Sequence, residues 1–272
     1  MSDQQFTDIH THIIFSVDDG AKDLDHSLRM VEQAAENGVG QILATPHITD
    51  VMGEQNGEKI RKHFNELSEK VLKDKLPIRI YLGSELYFND RIYDWLHQDW
   101  SSFNNNQKYL LFELPLFDLP EGVADFIFNV KLKGITPILA HPERYIYFHK
   151  KFDVILNWYQ QGCLMQMNAG SLTGQFGDEV STFTRKLLEA GVYSFVASDA
   201  HDTEGRNFKV LGKAYEIAND ILAKEQVDKL FIENPARSIR GELIEQNTIV
   251  QEFLEKNWIK ELVTKIKNFR LK

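Results

Sequence analysis

Short apolar runs and stretches with an apolar residue every three or four positions alternate along the chain. Runs at 6–10, 41–45, 78–83, 109–114, 136–141, 164–168 and 193–198 read as strands. Between them, about 25–37, 57–73, 123–133, 154–161, 179–190 and 208–223, the spacing predicts helices. In the first helix Leu28, Val31 and Ala35 share a face, and Gly38 stands where a C-terminal cap belongs. Ile42-Leu43-Ala44, Ile138-Leu139-Ala140 and Phe195-Val196-Ala197 are apolar throughout, as strands covered on both faces should be. Seven strand–helix units with no repeat or low-complexity linker predict a single parallel α/β domain over residues 1–250.

With 272 residues, 43% of them hydrophobic, the chain can bury a core without disulfide staples. Forty acids against 31 bases give a net charge of −9, so no nucleic-acid partner is expected. A single cysteine, Cys163, excludes a disulfide framework and points to a reducing compartment. The first residues lack the charge and apolar run of a signal peptide, and no stretch approaches the roughly 18 apolar residues of a membrane span. A cytoplasmic location is expected.

The informative pattern is where histidines and acids fall. His10, His47, Glu85, Glu113, His141 and Asp199 each lie at, or within two residues of, the end of a different strand. Histidines and acids total 49 of 272 residues, so about one strand end in five would carry one by chance; here it is six of seven. In a β/α barrel those ends converge on one face, where active sites are built.

His10-Thr11-His12 adds a pair of imidazoles on one side of an extended chain, and Asp199-Ala200-His201 repeats the spacing. H-x-H alone is a weak signal. Asp18-Asp19-Gly20 can present a further carboxylate, with Asp19 preferred over Asp18, or can be a simple turn before the helix. Glu85 and Glu113 sit among apolar and aromatic neighbours, where an unpartnered carboxylate is costly to bury. His26, His63, His97 and His149 read as surface residues.

The set His10, His12, Asp19, His47, Glu85, Glu113, His141, Asp199 and His201 exceeds one ion and suffices for two or three. Nitrogen and oxygen ligands without thiolate suit manganese, iron, zinc or cobalt, with manganese or iron preferred. Arg144, in His141-Pro142-Glu143-Arg144, and Arg206 are candidate phosphate clamps. The alternative for both is a surface salt bridge to a neighbour such as Glu143 or Glu204.

These residues together resemble the polymerase and histidinol phosphatase (PHP) superfamily. They are closest to its branch of bacterial manganese-dependent protein-tyrosine phosphatases from capsular and exopolysaccharide operons. The resemblance rests on Asp8-Ile9-His10-Thr11-His12 with Asp18-Asp19-Gly20, Ala44-Thr45-Pro46-His47, Gly83-Ser84-Glu85-Leu86, Phe112-Glu113-Leu114, Ala140-His141-Pro142-Glu143-Arg144 and Ala197-Ser198-Asp199-Ala200-His201. It spans about residues 6–240, and Asn234-Pro235 resembles the family's final helix start.

The resemblance implies a distorted TIM-like (β/α)7 barrel with three metal ions, Mn2+ foremost and Fe, Co or Zn as alternatives. His10, His12 and Asp199 would bind one ion, Glu85 would bridge to a second completed by Glu113 and His141, and Asp19, His47 and His201 would hold the third. Arg144 and Arg206 match the phosphate-contacting arginines. The implied reaction is phosphotyrosine hydrolysis on an autophosphorylated bacterial tyrosine kinase, by metal-activated hydroxide, with inorganic phosphate as product and no cysteine intermediate.

A cysteine route is excluded independently. The position six residues after Cys163, where such enzymes need arginine, is Ala169, and Cys163 reads as a buried structural thiol. A small-molecule phosphatase such as a histidinol-phosphate phosphatase, and a metal-free scaffold binding a kinase, are the rival readings. Ile13, Ile14, Phe15, Tyr87 and Phe176 could wall a peptide site or belong to the core. From Gln251 to Lys272 six bases face three acids, with Leu254, Trp258, Leu262, Ile266 and Phe269 at helical spacing. That predicts a basic amphipathic helix over 251–272, either packed on the barrel or another subunit or lying on an anionic membrane near the kinase. Homo-oligomerisation is left open.

Overall fold

A computed structural model describes residues 5–49 and 53–247. The 251–272 helix and its membrane contact therefore lie outside the described residues. Among the described residues nine strands form two sheets, and every pairing between them is parallel. β1 (Phe6–Thr11), β2 (Val39–Ala44) and β4 (Arg79–Leu82) make the smaller sheet, in the order β1-β2-β4. β3 (His47–Ile48), β5 (Glu85–Tyr87), β6 (Tyr109–Glu113), β7 (Thr136–Ala140), β8 (Leu164–Asn168) and β9 (Phe195–Ala197) make the larger one in that order.

The seven expected strands become nine because two of them resume beyond their expected ends at Thr45 and Gly83, as β3 and β5. Pro46 offers no N–H to a ladder, and it separates β2 from β3. Gly83 and Ser84 separate β4 from β5, with Ser84 Oγ donating to Trp100 O at 2.7 Å. Backbone bonds carry the sheet across both breaks: Thr45 N to Thr11 O at 2.8 Å, Gly83 N to Ala44 O at 2.9 Å and Glu85 N to Pro46 O at 3.1 Å. At the other edge β9 returns to β1 through a parallel bridge between Thr11 and Ala200. Asp199 N donates to His10 O at 2.9 Å and His12 N to Ala200 O at 2.8 Å. The circuit is a distorted seven-stranded barrel.

Two apolar clusters divide the core by strand alternation. Met165, Met167 and Val196 face the helical layer, while Leu164, Phe195 and Ala197 join Ile9, Leu43, Leu111, Ile138 and Ala140 inside the barrel. Phe103, Tyr109, Ile239 and Ile244 belong to the inner cluster as well. The interior is packed, and polar residues enter it only towards the strand ends.

Helices follow the spacing closely. The first spans Leu24–Glu36; Asp23 caps it by accepting from His26 N at 2.7 Å, and Gly38 takes φ +80° just beyond it. Others cover Gly53–Lys73, Val123–Leu132, Phe152–Gln160, Asp178–Glu189 and Lys209–Asn219. A final helix, Asn234–Ile239, starts at Asn234-Pro235, and Asn234 Nδ2 donates to Ser194 O at 3.0 Å.

Candidate metal centre

The breaks in β2 and β4 set the site. They leave His47 paired in register with Glu85 and Tyr87 with Glu113. On β1 the register shifts between Asp8 and Thr11. There the buried Asp8 carboxylate takes over strand bonding, with Oδ1 accepting from Ser198 N at 3.1 Å and His10 N at 3.3 Å. His10 and His12 both face the cluster. At the ends of β7 and β9, His141 (φ 33°) and Asp199 (φ 56°) adopt left-handed backbone. Such conformations cost a non-glycine residue energy and concentrate at functional sites; His141 also precedes a proline, which restricts it further.

All nine candidate ligands converge. Glu85, fully buried, holds Oε2 at 2.9 Å from His10 Nε2, 3.0 Å from His47 Nδ1 and 3.5 Å from His12 Nε2. Its Oε1 lies 3.1 Å from His141 Nε2. Asp199 Oδ1 lies 3.4–3.5 Å from His12 Nε2, His10 Nε2 and His201 Nδ1. Glu113 Oε1 lies 3.1 Å from His47 Nδ1, and Asp19 Oδ1 lies 3.3 Å from His201 Nε2 and 3.6 Å from His47 Nε2.

Donor atoms within 4.8 Å of one another form four groups. These are His12–Asp19–His47–His201, His10–His12–Glu85, His10–His141–Asp199 and His47–Glu85–Glu113. The division differs from the one the resemblance implies: the groups are four and overlap, His12 also joins Asp19, His47 and His201, Glu113 groups with His47 and Glu85, and His141 with His10 and Asp199.

Three imidazoles have one nitrogen committed behind them. His12 Nδ1 donates to Asp18 Oδ2 at 2.7 Å, His10 Nδ1 to Gln166 Oε1 at 2.9 Å, and His201 Nδ1 to Asp199 O at 3.0 Å. Asp18, buried, also accepts from His47 N at 3.1 Å and Gly20 N at 3.0 Å, so the two acids of the turn diverge: Asp18 backs His12, and the more exposed Asp19 faces the cluster. The opposite nitrogens, His10 Nε2, His12 Nε2 and His201 Nε2, are buried without a hydrogen-bond partner, as are His47 Nδ1, His141 Nδ1 and Glu85 Oε2. Buried polar atoms are rarely left unpaired. A concentration of them on imidazole and carboxylate, aimed at one another, fits divalent cations.

The protonation equilibria point the same way. Burial opposes charge on His47, yet the carboxylates of Glu85 and Glu113 raise its pKa to about 10. His10 and His12 are likewise raised against burial, by Glu85 and Asp199 and by Asp18 respectively. Against its own burial, Glu85 is held well below the usual carboxylate range by His10 and His47, and Asp199 by His10 and Arg206. Protons on His10, His12 and His47 balance the carboxylates where cations otherwise would, while burial lowers the pKa of His141 and His201.

Both arginines reach this cluster. Arg144 Nη1 lies 3.2 Å from Asp199 Oδ2, its guanidinium 4.5 Å over the Phe176 ring, and Arg206 Nη2 pairs with the same oxygen. Arg206 Nε is buried without a partner. The surface salt bridge expected as the alternative does not form to Glu143, which is wholly buried and accepts from Asn168 N at 2.9 Å and Tyr193 Oη at 3.0 Å.

Of the residues that could wall a peptide site or belong to the core, Ile13 and Ile14 are core, and Phe15 stacks on His63 at 4.1 Å. Of the four histidines read as surface residues, only His97 is exposed. His26, His63 and His149 are half-buried, His63 bonding to Phe15 O at 2.8 Å and His149 to Glu143 O at 2.9 Å. Cys163 is buried, which pushes its thiol pKa up. Asp8, Asp18, Gln166 and Asn168 were missed as supporting residues. The last two carried a signal in their two-residue spacing at the end of a strand, the same as in H-x-H.

Comparison with known proteins adds an independent line. A family described as capsular polysaccharide synthesis, CpsB/CapC, matches residues 6–240. The tyrosine-protein phosphatase YwqE of Bacillus subtilis is 31% identical over 244 residues, covering 87% of this chain and 92% of that protein. CpsB of Streptococcus agalactiae, also a tyrosine-protein phosphatase, is 32% identical over 242 residues, 87% of this chain and 99% of its own. Crystal structures of YwqE and of CpsB from Streptococcus pneumoniae, described as unique metal-dependent tyrosine phosphatases, include a chain that superposes with a TM-score of 0.83 at 30% identity. That match covers 89% of this chain and 97% of the other. The chain belongs to the CpsB/CapC family of capsular polysaccharide synthesis.

Proposed function

We propose that this protein is a metal-dependent protein-tyrosine phosphatase. The observation that carries the reading is the buried Glu85 Oε2 facing three imidazole nitrogens that lack hydrogen bonds, with two arginines meeting on Asp199 at the edge of the same cluster. His10, His12, Asp19, His47, Glu85, Glu113, His141, Asp199 and His201 would hold two or three ions, with manganese preferred for this nitrogen–oxygen set. When bound, such cations supply Lewis-acid charge that makes water a nucleophile near neutral pH and neutralises phosphoryl oxygens.

The chain's own residues do the rest. Asp199 divides its oxygens, Oδ1 towards the imidazoles and Oδ2 towards Arg144 and Arg206, so it holds both guanidiniums beside the place where a phosphoryl group would meet the ligand cluster. Arg206 Nε is a free donor for that group. Tyrosine's phenolate, with an ordinary pKa of about 10, leaves without strong acid assistance. The relatives' names support phosphotyrosine on protein and the family supports a role in capsule synthesis. A tyrosine kinase as substrate is what the sequence resemblance implies, and a cytoplasmic location is what the sequence composition leads one to expect. Among the described residues no helix is long and apolar enough to cross a membrane.

The test is phosphate release from a phosphotyrosine peptide and from histidinol phosphate, after metal stripping and manganese addition. Manganese-dependent, peptide-selective turnover that falls at least 100-fold in His10→Ala and in Arg206→Ala is expected, since each removes groups acting on developing charge. Selectivity for histidinol phosphate would overturn the substrate assignment, and inactivity with every metal would favour a scaffold.

A further inference from the structure

Six strand ends of the barrel present histidine or acid to the cluster, and β8 presents neither. Its sequence Leu164-Met165-Gln166-Met167-Asn168 instead places two carboxamides, two residues apart, on the inward side of the strand, both buried. Each is locked at one end by the backbone. Gln166 Nε2 donates to Met167 O at 2.7 Å, so its Oε1 faces His10 Nδ1 at 2.9 Å as an acceptor. Asn168 Oδ1 accepts from Gly170 N at 2.9 Å, so its Nδ2 donates to Asp199 Oδ2 at 2.7 Å. An acceptor behind His10 requires the proton on Nδ1 and leaves Nε2 open towards Glu85 and Asp199. A donor behind Asp199 fixes Oδ2 alongside the arginines and turns Oδ1 to the imidazoles.

We propose that Gln166 and Asn168 are positioning residues with opposite polarity, an acceptor that sets the His10 tautomer and a donor that sets the Asp199 carboxylate. The inference rests on the reading of the cluster as a metal site. It assigns a role to the seventh strand end, from which no ligand comes.

Opposite polarity predicts opposite tolerance of an acid. Full-length manganese-loaded protein, challenged with graded EDTA, reports retained metal, and thermal melting of the metal-free forms reports packing. Gln166→Met, similar in size but without an acceptor, is expected to weaken manganese retention at least tenfold, the range found when outer-shell partners are removed. Gln166→Glu, which restores an acceptor, should return it to within about threefold of the unaltered chain. At position 168 the order inverts: Asn168→Asp, isosteric but unable to donate, should lose at least as much as Asn168→Ala. A role in packing alone would make both isosteric acids mild, and a simple charge effect would make both retain manganese better. Either pattern overturns the proposal, as does unchanged retention in Gln166→Met. Failure of the unaltered chain to hold manganese would instead overturn the metal-site reading.

Discussion

At the scale of single residues, the site depends on small groups behind its ligands. Gly20 closes the Asp18-Asp19 turn against β1, with Ala21 N donating to His12 O at 3.0 Å. A Cβ at Gly20 would stand 2.1 Å from that carbonyl oxygen, so the backbone itself would have to move. Gly20→Ala should cost about 1–3 kcal/mol, typical of overpacking, and should lower manganese retention because the displaced carbonyl belongs to the candidate ligand His12. An unchanged melting temperature would show that the turn yields freely. Asp18 is a second such residue: buried, it ties His12 Nδ1 to the backbone of His47, so one carboxylate registers two ligands from different strands.

At the scale of elements, the seam between β1 and β9 is the mechanical centre of the barrel. It carries His10 and His12 on one side and Asp199 and His201 on the other, and the Asp8 carboxylate bonds to both strands. Burial raises the pKa of Asp8 to about 6 from an ordinary value near 4, against the hydrogen bonds it receives at Ser198 and His10. The sign follows from linkage. The folded state favours the protonated carboxyl, so the cost of its charge is absent below about pH 4 and complete above about pH 6, amounting to roughly 3 kcal/mol. Asp8→Asn keeps the acceptor without the charge. In urea titrations of metal-free protein, its stability relative to the parent should therefore improve as pH rises from 4 to 7. Asp8→Ala leaves two buried N–H groups unpaired and should destabilise by about 2–4 kcal/mol relative to Asp8→Asn. Parallel stability curves for Asp8→Asn and the parent would contradict the burial cost.

For the molecule as a whole, the convergence of nine candidate ligands leaves a charge imbalance that either protons or cations can offset. With the imidazoles of His10, His12 and His47 held protonated by the carboxylates around them, cations must displace protons to bind. Manganese affinity should therefore rise with pH between 6 and 9. Calorimetry in buffers of differing ionisation enthalpy should register proton release on loading. Binding without proton release would mean that these imidazoles are already neutral. Loading should also raise the melting temperature, because the unfolded chain cannot gather residues that lie as far apart as His10 and His201.

The chain's own pattern determined the strand–helix alternation, the barrel class and the candidate ligands. Burial periodicity is a local property, and a histidine or acid ending an apolar run stands out against its neighbours. The helix at Leu24–Glu36 and the strands β6, β7 and β8 lie within about a residue of where spacing alone put them. Tertiary structure decided what depends on contacts between distant strands. The short strands β3 and β5, formed beyond Pro46 and beyond Gly83-Ser84, are one example, because a ladder exists only with its partner. The division of labour between Asp18 and Asp19 is another, since adjacent carboxylates are chemically alike until His12 and His201 take opposite sides. The grouping of Glu113 with His47, and of His141 with His10 and Asp199, is a third. Gln166 and Asn168 share the two-residue spacing of H-x-H at a strand end, but only the closing of the barrel brings their carboxamides against His10 and Asp199. Sequence supplies the chemical groups in order along a line; the direction in which each one points is fixed by the hydrogen bonds that the folded barrel makes behind it.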